Sequence, residues 1–103
     1  MNQFFEELGN RWVAAAHRRQ AVIEAPSIDP KVALELLELA RVAAHTRERR
    51  FAPLSCFMAG VAAERLRIAK PGLDQGEVAD YINEIRMELE AQTPETPNVP
   101  NER

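Results

Sequence analysis

Residues 30–46 read PKVALELLELARVAAHT, and no other stretch limits the possible folds as tightly. Val32, Ala33, Leu34, Leu36, Leu37, Leu39, Ala40, Val42, Ala43 and Ala44 leave only a thin polar stripe of Lys31, Glu35, Glu38, Arg41 and His45. A helix apolar around most of its circumference has to be surrounded by others. The stretch opens with Asp29 as an N-cap and Pro30 at the first helical position, a matched pair of start signals. It is therefore expected to form the central helix of an all-α fold, ending at about Thr46 or Arg47.

Three more helices follow from the punctuation. Breaks fall at Ala25-Pro26-Ser27-Ile28-Asp29-Pro30, at Arg50-Phe51-Ala52-Pro53 and at Lys70-Pro71-Gly72. Before the first break, Phe5, Leu8, Trp12, Ala15 and Val22 recur at helical steps, which predicts a helix from roughly Gln3 to Glu24. Gly9 is a mild weakness within it, costing about 1 kcal/mol relative to alanine. From Pro53 to about Ala69, Leu54, Phe57 or Met58, Val61 and Ile68 form one apolar ridge. Cys56, Ala59, Gly60 and Ala63 form a second ridge of small side chains. That small ridge suits close approach to Ala40, Ala43 and Ala44 of the central helix, which would account for a glycine in a helix interior. The last helix opens at Asp74-Gln75-Gly76-Glu77, a capping-box pattern. It carries a seam of Val78, Ile82, Ile85 and Leu89 and an acidic outer face of Asp80, Glu84, Glu88 and Glu90, and ends near Gln92. Short connections favour a compact bundle of about four helices. Residues 1–92 form the expected single domain. Residues 93–103, TPETPNVPNER, lack the apolar content to offset ordering entropy and are expected to be disordered.

The chain has 103 residues, 46% of them hydrophobic, so it can build a core without metals or disulfides. Its one cysteine, Cys56, cannot bridge within the chain and fits a reducing compartment. The opening MNQFFEELGNRW lacks the basic start and apolar run of a secretory signal, and no stretch approaches the ~20 apolar residues that span a bilayer. A cytoplasmic location is expected. Net charge is −3 but uneven: residues 1–55 hold eight Lys/Arg against seven Asp/Glu, residues 56–103 five against nine. The acidic second half argues against broad attraction to phosphate backbones.

The chemistry-bearing residues gather at the bend between the second and third helices. Arg41, His45, Arg47, Arg49 and Arg50 form a basic cluster there, the candidate ligand- or partner-binding site. An anionic group or an acidic partner surface is what such guanidinium groups recognise. For His45, dipole complementation at a helix C-terminus is the simpler account. No catalytic set is legible. Cys56 has no histidine or acid at its side and reads as packing. His17 and His45 lie too far apart for a metal, and no cofactor is expected. A helix-turn-helix reading is weakened because Pro53-Leu54-Ser55-Cys56-Phe57 offers little to base edges.

Leu36–Gly60, LLELARVAAHTRERRFAPLSCFMAG, closely resembles a small actinobacterial domain of unknown function that occurs alone or fused to molybdenum cofactor guanylyltransferases. Leu39, Ala40, Arg41, Ala44, His45, Arg49, Ala52, Pro53, Leu54, Phe57 and Gly60 match its signature without a gap. The chain departs from it at Val42 (usually Asp), Thr46 (usually Gly), Arg50 (usually Pro) and Ser55 (usually Thr). The resemblance implies a neighbourhood, molybdopterin guanine dinucleotide assembly, and a protein partner of that class, a molybdenum cofactor enzyme or guanylyltransferase. The expected function is that of a non-enzymatic helical accessory domain presenting the bend between its helices to a partner. A DNA-binding module, and a homodimer formed through the aromatic face of the first helix (Phe4, Phe5, Trp12), are the alternatives.

Overall fold

Asn2 starts the first helix by lending its side-chain oxygen to the Phe5 amide at 3.2 Å, one of the four N-terminal donors that a helix leaves unpaired. In this computed structural model, which describes residues 2–92, α1 spans Gln3–His17, α2 Pro30–Thr46, α3 Phe51–Ala69 and α4 Gln75–Ala91. The all-α expectation holds: four helices, with no strand among the described residues. The proposed disordered tail lies outside them. The chain divides into two compact units, Met1–Pro30 and Lys31–Arg103.

In the first unit, α1 stops seven residues short of the expected Glu24. The Ala21 amide donates to the Ala16 carbonyl and the Gln20 amide to that of His17, both at 2.9 Å. Gln20 has φ +60°, the left-handed conformation. This is a Schellman stop, a position where glycine or asparagine is usual. Because glutamine gives no such warning, the apolar spacing runs on to Val22, which is in fact 91% exposed. The chain then runs without regular structure to Asp29. Gly9 is buried because this segment passes over it: a Cβ there would stand 2.7 Å from the Pro26 carbonyl oxygen. Far from being a weakness, Gly9 makes a close backbone approach possible.

The second unit holds α2, α3 and α4. Its core cluster is Leu39, Val78 and Ile82, with Leu36, Ala59, Ala63, Leu73 and Leu89 packed against it. Val42, 1% exposed, is the largest fully buried side chain. Asp74 and Glu77 make the expected capping box, with the Glu77 amide donating to Asp74 at 2.8 Å and the Asp74 amide to Glu77 at 3.0 Å. α3 begins two residues before Pro53, because the Phe51 and Ala52 amides already donate to the Glu48 and Arg49 carbonyls. Proline in the third helical position is tolerated, since an amide in that first turn has no intrahelical acceptor to lose.

Small residues of α3 do face inward. The Cys56 thiol donates to the Leu36 carbonyl at 3.5 Å, and Ala59 and Ala63 pack on the core cluster. Gly60 is not part of that approach, because a Cβ built on it meets nothing within 4 Å. The two glycines therefore predict opposite outcomes. Gly60→Ala stabilises the fold by up to about 1 kcal/mol through helix propensity, whereas Gly9→Ala destabilises its unit by about 1–2 kcal/mol through overpacking. Thermal unfolding of both variants, with hydrogen exchange of α1 amides for the second, checks the pair; a shared sign contradicts it.

Candidate functional site

The residues of the basic bend divide into paired and unpaired cations. Arg41, in the fourth turn of α2, donates through Nη2 to Glu38 at 2.9 Å and reaches Glu90 of α4 at 3.5 Å. Its pKa is raised by the Glu38 hydrogen bond and charge, with Glu90 adding to it. Arg50 pairs with Glu48 at 2.7 Å. The Arg47 side chain donates to the Thr46 carbonyl, which supplies no charge. Arg49 and His45 are exposed, and neither joins a carboxylate among the described residues. The five candidate residues thus do not converge on one pocket. What remains for an anion is a short exposed edge of His45, Arg47 and Arg49.

The polar stripe of α2 is not purely solvent-facing either. Glu35 accepts from the Asn83 side-chain amide at 3.1 Å and lies 3.8 Å from Arg86, whose other contact is Glu90 at 3.0 Å. Arg86 hydrogen-bonding holds the Glu90 carboxyl below its ordinary range, and Arg41 adds to the effect. Glu35, Arg86, Glu90 and Arg41 therefore tie α2 to α4. Glu90, which the periodicity assigned to a free acidic face, belongs to this network. Leu34, beside Glu35 and the start of α4, and Leu37 are both exposed. The expectation that α2 is surrounded on most sides is corrected: neither leucine points at the core, and the buried stripe is Leu39, Val42 and Ala43.

α3 carries the feature that periodicity could not resolve. No residue of this 19-residue helix is buried. Most of its large side chains turn outward, Leu66 and Val61 being half-buried: Leu54 is 61% exposed, Phe57 74%, Met58 71%, and Ile68 is exposed as well. Large residues out and small ones in is the reverse of an ordinary amphipathic helix. Beside this ridge an apolar groove of about 250 Å³ runs between α3 and α4, lined by Met58, Ala62, Tyr81, Ile85 and Leu89, with Ser55 its polar member. Arg65 stands beside Phe57 and Val61 on the outer side of α3 and joins no carboxylate among the described residues.

Other chemistry is thin. Burial pushes the Cys56 thiol up, away from the thiolate a nucleophile needs. Among the described residues no group of three or more His, Cys, Asp or Glu could hold a metal ion, and no helix is long and apolar enough to cross a membrane. A family model described as a domain of unknown function, DUF6457, matches residues 6–97. No curated protein and no solved structure matches the chain.

Proposed function

The chain belongs to the DUF6457 family, whose function is unknown, and from its own geometry we propose that it is a non-enzymatic helical interaction module that docks another protein chain through the outer face of α3. One observation carries this reading: α3 turns Leu54, Phe57, Met58 and Ile68 away from the core and gives the core alanines and a cysteine. A contiguous exposed apolar ridge beside a groove is the surface that a partner helix covers.

The His45, Arg47 and Arg49 edge immediately precedes α3 and supplies cations next to this ridge in sequence. Charged residues at a rim set orientation and encounter rate more than affinity. We read this edge as the part that would meet an acidic surface or anionic group of a further partner. A place in molybdenum cofactor maturation, with a molybdenum cofactor enzyme or guanylyltransferase as that partner, is supported by the resemblance of residues 36–60 alone. A cytoplasmic setting is supported by the single cysteine, which cannot form an intrachain bridge.

A photo-cross-linking amino acid at position 57 tests the docking face in the native host. The expected result is discrete protein adducts from position 57 and none from position 88, on the acidic side of α4. Equal adducts at both positions, or none at 57, overturn the reading.

A further inference from the structure

We propose that the occupant of the α3 outer face is a second copy of this chain, with the two α3 helices antiparallel across a two-fold axis at Val61. The inference rests on the docking role of α3 argued above, and adds the identity of what docks. A closed two-fold interface requires a patch that is complementary to itself. The outer face of α3 has that order. Leu54 and Ile68 lie seven residues to either side of Val61, Phe57 and Arg65 four, and Met58 and Glu64 three.

Antiparallel pairing about Val61 therefore sets Leu54 against the other copy's Ile68, apolar on apolar. It sets Phe57 against the other copy's Arg65. That arginine is without a carboxylate partner among the described residues and so remains available to lie over an aromatic face, a contact worth about 0.5–2 kcal/mol depending on desolvation. Met58 faces the stem of the other copy's Glu64, whose carboxylate is already held by Arg67 at 2.7 Å within its own helix. No like charges oppose one another. Each residue of the patch meets a chemically compatible one, and each contact occurs twice.

The available area agrees with this. The α3 helix of 19 residues is about 28 Å long. The large side chains exposed along it offer on the order of 500 Å² per copy, so a pair covers roughly 1,000 Å², the lower bound for a specific interface. A small interface of this kind is expected to be populated at high concentration and to dissociate on dilution.

Sedimentation equilibrium of the full chain decides the matter. Wild type at about 200 µM should sediment at twice the 11.6 kDa chain mass and shift toward monomer on dilution. Phe57→Asp and Leu54→Asp should be monomeric at the same concentration, with circular dichroism unchanged and melting unchanged at dilutions where wild type is itself monomeric, because both side chains face water in the single chain. Arg65→Ala should weaken the dimer several-fold, and Leu34→Asp on α2 should leave it intact. A monomeric wild type overturns the self-pairing, as does a dimer untouched by Phe57→Asp. If wild type is monomeric and position 57 still cross-links to a different protein, the docking role survives and only the occupant is wrong. If position 57 yields no adduct and wild type is monomeric, both fall.

Discussion

Val42→Asp should unfold the second unit at neutral pH and recover part of its stability in acid. The valine is 1% exposed and, among the described residues, is the largest side chain with so little contact with water. A carboxyl placed there has two courses. It can stay ionised in apolar surroundings, or be buried as the neutral acid. The second is cheaper, and from an ordinary carboxyl pKa of about 3.9 it costs about 4 kcal/mol to protonate the group at pH 7. The cavity mismatch and unmet hydrogen bonds add to that. Small domains hold only about 5–15 kcal/mol in total, so the variant sits at or past its limit.

The sign with pH follows directly. The introduced carboxyl has a folded pKa raised above its unfolded value, so the native state binds more protons. Its penalty is then largest at neutral pH and shrinks by about 1.4 kcal/mol per unit as pH falls toward 4. Val42→Ala, which adds no charge, should lose roughly 2 kcal/mol at any pH between 5 and 8. Urea unfolding of the two variants at pH 7 and pH 4.5 separates the cases, and a pH-independent loss in Val42→Asp contradicts the argument.

Ile82→Ala should be the second most damaging substitution, costing about 3 kcal/mol. Ile82 is buried in the cluster with Leu39 and Val78, where α4 meets the central helix. Removing its outer carbons loses transfer free energy and leaves a cavity that only partly collapses, for which 2–5 kcal/mol is usual. In a domain of this size that lowers the melting temperature by on the order of 15 °C. Ile85, one turn on but about half exposed at the groove edge, gives the comparison. Ile85→Ala should cost below about 1 kcal/mol while weakening any helix seated in the groove. Thermal melts of the two variants check the ranking, which an equal loss would refute.

Legibility of this fold followed how local each signal was. The start of α4 could be read because Asp74 and Glu77 satisfy each other's amides without help from elsewhere in the chain. Pro30 announced α2 in the same way. α1 was overextended because its stop depends on Gln20 entering a left-handed conformation that glutamine does not advertise. The ridges of α3 were both visible in the sequence. Which one turns inward was not, because either ridge is apolar enough to be buried. The choice was made by α2 and α4, whose Leu39, Val78 and Ile82 already fill the space and leave room only for alanine-sized neighbours. The basic bend was legible as composition, yet not as a site. Glu90 and Glu48, which neutralise Arg41 and Arg50, are assigned by tertiary placement and by a turn that periodicity does not describe.

A helix that meets its own fold with methyl groups and a thiol is freed from a constraint that binds most core helices. The outward residues of α3, on which the proposed docking rests, make almost no contribution to whether the molecule folds. Specificity at that surface is thus open to change by single substitutions, in selection or in the laboratory, with the scaffold beneath left at constant melting temperature.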